Sequence, residues 1–100
     1  MSITDIEKAC LEVCDDNINM MVPWYIMAAY AYYVEDKPIL EDSTFDRLAK
    51  RILDHWDEIK HEHKHLLTKD MLTAGTYLGE YPSKVKGAVD SVRHTYRRSL

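Results

Sequence analysis

Residues 20–34 read MMVPWYIMAAYAYYV, about 15 positions without a charged side chain. A stretch of that kind has to be buried, and its length limits how. A helix that spans a bilayer needs roughly 20 apolar residues, so this one is expected inside a soluble fold. Pro23 suits the first turn of a helix, where an amide hydrogen would lack a helical partner anyway. The helix should then run to about Glu35. Residues 24–33 are apolar nearly all round, which points to a central helix contacted on several sides. Pro38 cannot continue it, and residues 36–42 form a connection of ordinary hairpin length.

The flanking pattern is helical too. Thr4-Asp-Ile-Glu7 has capping-box form, and Ile6, Cys10, Val13 and Cys14 keep one face of a short first helix apolar until Asp15, Asp16 and Asn17. Asp42 or Ser43 is the natural N-cap of a third helix. From there Phe45, Leu48, Ala49, Ile52, Trp56 and Ile59 recur at steps of three and four, and residues 61–65 end or fray it. Thr68 caps one further turn up to Gly75, residues 79–81 read as a turn, and Pro82 opens a last helix. Its stripe is Val85, Ala88, Val89 and Val92, continuing to Tyr96. The expected fold is therefore all-α, with four to five short helices built on a central hairpin at about 22–66 and a basic C-terminal helix at about 82–98. A chain of 100 residues has the size of one domain, so 1–100 is read as a single unit.

Composition narrows the class. Apolar residues make up 46% and charged ones 30%, with three Gly and three Pro, which suits a globular chain and not a disordered one. No signal peptide is visible, and a soluble cytoplasmic protein is expected. Cys10 and Cys14 stand four apart in one helix and are expected to be reduced, buried thiols. The net charge of −4 conceals an asymmetry: residues 1–46 hold two basic and ten acidic side chains, residues 47–100 eleven basic and seven acidic. Such a split can steer a phosphate-bearing partner, or it can be two solvated faces.

One stretch carries a resemblance. Tyr-Tyr-Val-x-Asp-x-Pro-x-x-x-Asp-x-x-Phe-Asp-Arg-Leu, from Tyr32 to Leu48, is similar without gaps to the N-terminal Ia domain of bacterial NAD-dependent DNA ligases. That family's pattern is an aromatic and a histidine, Val-x-Asp-x-Pro, a short gap, Asp, two residues, and Tyr-Asp-x-Leu. The likeness continues through the third helix with about one extra turn, and the family's closing His-Pro-Glu-Leu corresponds to His63-Lys-His-Leu66. It covers roughly residues 25–66. The whole chain resembles short ligase-related proteins of tailed bacteriophages, for which the location would be the host cytoplasm.

The resemblance implies a site for the nicotinamide mononucleotide half of NAD. Tyr32 and Phe45 would sandwich the ring, Asp42 and Asp46 would hold its polar edge and sugar, and Tyr33 stands where the family has a histidine near the phosphate. A cationic, electron-poor ring prefers aromatic faces, and nearby carboxylates favour its charge. Phe45 keeps the stacking face of the family's tyrosine without its hydroxyl. Catalysis is not implied. Ligation requires a nucleophilic lysine in a Lys-x-Asp-Gly context within a nucleotidyltransferase domain, and that tetrapeptide is absent; Lys69-Asp70 and Lys84-Val-Lys86-Gly87 lack its order. A non-enzymatic module binding NAD or nicotinamide mononucleotide is the leading expectation.

The same residues have structural uses. Phe45 opens the apolar stripe, Tyr32 lies one turn beyond Ala28, and Asp42 and Asp46 suit a helix start. His61 and His65, four apart, invite a zinc reading with Cys10 and Cys14 as further ligands, although a polar helix end explains them equally. Lys84, Lys86, Arg93, Arg97 and Arg98 could meet DNA phosphates or a protein partner from host or phage. An interaction protein without nucleotide binding is thus the alternative.

Overall fold

The computed structural model describes residues 3–77 and 79–97, the side chains of Ile3, Thr4, Tyr96 and Arg97 excepted. It is all-helical, with no strand among the described residues. The elements are α1 (Ile3–Asp16), a 3₁₀ turn (Ile18–Met20), α2 (Met21–Ala29) continuing as a π-turn (Tyr30–Val34), α3 (Asp42–Asp54), a second 3₁₀ turn (Lys64–Leu66), α4 (Lys69–Ala74) and α5 (Val85–Arg97). No helix among them is long and apolar enough to cross a membrane.

The apolar run becomes the centre. Every α2 residue except Pro23 is buried, because α3 packs on one side of it and α5 on another. Tyr25, Ile26 and Ala29 from α2 meet Ile6, Cys10 and Cys14 from α1, Leu48 and Ile52 from α3, Leu72 from α4 and Val89 from α5 in one core. Each large apolar side chain buried in this way contributes roughly 1.5–3 kcal/mol. Both cysteines are free and fully buried. A hydrogen bond to Cys14, then burial, push the Cys10 thiol far up, so it stays protonated. Val13 falls at the margin of this stripe and is exposed, contrary to the sequence reading.

Several boundaries differ from expectation, each for a physical reason. α2 begins at Met21, two residues ahead of Pro23, which still falls in its first turn, and is led in by the 3₁₀ turn whose Asn19 amide donates to the Asn17 side chain. Its C-terminal end widens: the Glu35 amide donates to the Tyr30 carbonyl at 3.2 Å, five residues back. A π-turn of this kind inserts a residue and rotates the downstream side chains by roughly 100° relative to α-helical phase. α1 is already helical at Ile3, so residues 4–7 lie inside it; the Thr4 side chain is outside the described residues. The Glu7 carboxylate accepts from the Thr44 hydroxyl at 2.5 Å and the Glu41 amide at 3.4 Å, serving the start of α3 from another helix. The N-cap of α3 is accordingly Glu41, one residue before the expected position, and Asp42 is the first helical residue.

α3 stops at Asp54, short of the extent its periodicity suggests. Beyond it comes a tight turn in which the Glu58 and Ile59 amides both reach the His55 carbonyl, and Ile59 is buried from that turn. The α4 reading holds at both ends: Thr68 Oγ1 accepts from the Met71 amide at 3.1 Å, and Gly75 closes the helix in the left-handed region at φ 71°. Pro82 precedes α5 by one turn, its carbonyl taking the Val85 amide.

Candidate functional site

A cavity of about 210 Å³ opens where the π-turn faces the first turns of α3. It is lined by Ala28, Tyr32, Tyr33, Leu40, Asp42, Phe45, Asp46 and Gly75. The five residues singled out in the sequence, Tyr32, Tyr33, Asp42, Phe45 and Asp46, thus come together at one place. Ala28, Leu40 and Gly75 complete it, and Tyr25 backs it.

The two expected stacking residues are held differently. Phe45 is half-buried, with its ring stacked on Tyr25 at 4.5 Å and 12° between planes. One face is fixed by the core, which makes Phe45 a rigid wall. Tyr32 is 45% exposed and, among the described rings, meets that of Tyr33, edge on at 5.0 Å. Tyr32 and Phe45 line the same cavity, yet their rings are not in contact with each other.

Tyr25 anchors this arrangement. Its ring also meets Tyr77 edge on at 6.4 Å, and Tyr77 in turn meets Tyr81, which lies against Tyr30. Burial first, then Tyr33 and Asp46 nearby, push the Tyr25 pKa up, so its hydroxyl stays protonated. That hydroxyl is buried with no hydrogen-bond partner among the described residues. Burial likewise pushes Tyr77 up to about 12. Neutral aromatic groups thus stand behind Phe45, and the front of the cavity is acidic.

The front is Asp42 and Asp46, one helical turn apart on α3 and exposed. Neither forms an ion pair among the described residues. Gly75 is placed beside them by the end of α4. Its positive φ disfavours any other L-residue, and a Cβ there would stand 3.3 Å from Asp46 Oδ1. Nothing in the sequence around Gly75 signals this role, because its neighbour is 29 residues away; only its use as a helix stop is locally readable.

The other two candidate clusters lie away from this cavity. Because α3 ends at Asp54, residues 61–65 are not α-helical, and the expected relation of His61 to His65 across one helical turn is lost. His61 Nδ1 accepts from the His63 amide at 3.1 Å, while His65 Nδ1 lies 2.7 Å from the Glu62 carbonyl. Among the described residues no three His, Cys, Asp or Glu side chains are grouped to hold a metal ion. On α5 and its lead-in, the cations have partners within the fold. Lys84 pairs with Glu62 at 2.9 Å, Lys86 with Asp90 at 3.4 Å and Glu35 at 3.7 Å, and Arg93 with Glu35. The Arg97 side chain and Arg98 lie outside the described residues.

Comparison with known proteins converges on the same segment. The family described as DNA ligase-like, N-terminal NAD+-binding domain matches residues 24–73, so the match extends past Leu66 to take in most of α4. A DNA ligase of Sulfurovum sp. (strain NBC37-1) is 53% identical over 38 residues, which is 38% of this chain and 6% of that protein. A DNA ligase of Synechococcus sp. (strain JA-3-3Ab) is 40% identical over 57 residues, 57% of this chain and 8% of that protein. The aligned segments thus span less than a tenth of these ligases. No solved structure matches the chain at comparable significance. With half of its length inside the family match and an all-helical fold around it, this chain belongs to the DNA ligase-like family of N-terminal NAD+-binding domains.

Proposed function

We propose that the cavity between the π-turn and α3 binds the nicotinamide end of NAD or nicotinamide mononucleotide, and that the chain does so as a non-catalytic, phage-type module. The observation that carries this reading is the juxtaposition of Tyr32, Tyr33, Asp42, Phe45 and Asp46 around one opening, with both carboxylates free of ion pairs among the described residues. Its volume of about 210 Å³ is below the roughly 300–1,000 Å³ typical of drug-sized sites, so it takes a ring and leaves sugar and phosphate at the mouth. Phe45, fixed against Tyr25, offers one ring face. Exposed Tyr32 closes on the other, and the pyridinium charge lies near Asp42 and Asp46. The sugar hydroxyls donate to those carboxylates. Ligation is outside this proposal, because the sequence has no Lys-x-Asp-Gly lysine.

Mixing the protein with nicotinamide mononucleotide at a hundred times its dissociation constant should stabilise it by about 2.7 kcal/mol. Tyr32→Ala combined with Asp46→Asn should remove that stabilisation. The reading is overturned if neither the mononucleotide nor NAD raises the melting temperature and titration calorimetry detects no heat. The alternative, a protein or DNA partner on the basic last helix, has less support, since Lys84, Lys86 and Arg93 are each paired within the fold.

A further inference from the structure

The two walls of the cavity belong to different elements, Tyr32 and Tyr33 to the π-turn and Asp42, Phe45 and Asp46 to α3. The chain reversal between them, residues 35–41, fixes their separation. Its backbone is unusual for its sequence. Asp36 has φ 54°, a left-handed conformation that a non-glycine residue adopts only when its surroundings hold it there. The Lys37 amide reaches back to the Ala31 carbonyl at 2.9 Å. Leu40, buried, turns into the cavity wall.

Two side chains from outside the family-matched residues grip this reversal. On one side Arg93 of α5 donates both to the Glu35 carboxylate and to the Lys37 carbonyl, bridging the left-handed residue between them. Lys86, two turns earlier on α5, lies 3.7 Å from the other Glu35 oxygen. The Arg93 and Glu35 side chains are 14% and 17% exposed, whereas the Lys84–Glu62 pair is 69% and 65% exposed. The first is a sequestered, two-point contact and the second an open surface pair. On the other side Glu7 of α1 takes the Glu41 amide and the Thr44 hydroxyl, one turn ahead of Leu48 and beside the Asp42 and Phe45 positions.

We infer that Arg93 and Glu7 are positioning residues for the nicotinamide cavity: by holding the 35–41 reversal from two helices outside residues 24–73, they set the gap between Tyr32 and Phe45. The inference rests on the binding reading above for its affinity test, and has a ligand-free test of its own. It also gives the terminal helices a role in the site that the matched segment alone does not supply.

The experiment compares Arg93→Met, which keeps the stem and removes the donors, with Val89→Ala, which weakens α5 packing in the core without touching the reversal. Both are assayed as full-length protein at a temperature where each is fully folded. If loss of the clamp leaves about one molecule in ten with the walls correctly spaced, the Kd for nicotinamide mononucleotide rises roughly tenfold in Arg93→Met. Arg93→Lys, reaching one acceptor in place of two, should fall between that variant and the unmodified protein, and Glu7→Ala should weaken binding in the same direction. Val89→Ala should lower the melting temperature and leave Kd within about twofold. Equal Kd values in Arg93→Met and Val89→Ala overturn the inference. If the unmodified protein binds no nucleotide, the binding reading fails by itself and the clamp is judged by amide hydrogen exchange. Faster exchange at residues 34–40 relative to α2 in Arg93→Met, but not in Val89→Ala, supports it; the same pattern in both overturns it.

Discussion

The molecule carries two charged regions that the sequence presents alike, and the fold treats them in opposite ways. On the α5 side Lys84, Lys86 and Arg93 meet Glu62, Asp90 and Glu35. At the cavity Asp42 and Asp46 stand in the open with no cationic partner among the described residues. Charges already paired within a protein lose part of their reach toward a ligand, whereas unpaired ones next to an apolar recess retain it. The contrast explains why a basic helix is poor evidence for a nucleic-acid surface until its neighbours are known. It also shows why two carboxylates at a helix start gain meaning once an aromatic recess lies beside them.

The largest effect that would sharpen this contrast is Phe45→Ala. The Phe45 ring is stacked on Tyr25 of the core, so truncation removes both that contact and a half-buried ring, at a cost of about 3 kcal/mol. Denaturant unfolding should show stability falling by that amount. A loss as small as that expected for exposed Tyr32→Ala would mean that the cavity wall is not anchored as the Tyr25 stack implies. Next in size is Glu35→Gln, which leaves Arg93 at 14% exposure without its counter-charge. About 2 kcal/mol of stability should be lost, because the remaining hydrogen bonds do not replace the lost charge of a largely sequestered pair. Urea titration checks it; a change near zero would place the pair among ordinary surface bridges.

How much could be read in the sequence depends on how far apart the interacting residues are. The chain reversal of the hairpin and the five candidate residues fall within residues 32–46, so local pattern and family likeness both reach them. The central helix is legible because an apolar run of about fifteen residues has few alternatives. Glu7 at α3, Arg93 at the reversal and Gly75 against Asp46 are pairings over 34, 58 and 29 positions, and no local periodicity encodes them. α3 looks longer in sequence than in structure because Ile59 is buried from a turn and so continues the apolar spacing without continuing the helix. The π-turn is invisible for a related reason: an all-apolar segment gives no phase by which an inserted residue could be noticed.

The smallest effect is the most discriminating. Asp46→Asn makes the same chemical change as Glu35→Gln, carboxylate to amide, but at the unpaired face. Asp46 is exposed, with Asp42 four residues before it and Lys50 four residues after, so like-charge repulsion and opposite-charge attraction along α3 largely offset each other. Stability should change by less than about 0.5 kcal/mol, while the Kd for nicotinamide mononucleotide rises roughly tenfold, the equivalent of about 1.4 kcal/mol for one charge-assisted contact. Glu35→Gln should show the reverse emphasis, with a clear stability loss that precedes any effect on the ligand. If Asp46→Asn instead destabilises the protein as much as Glu35→Gln does, Asp46 is a structural carboxylate like Glu35. The two regions would then differ in position and not in kind, and the cavity would lose the property that distinguishes it from the α5 face.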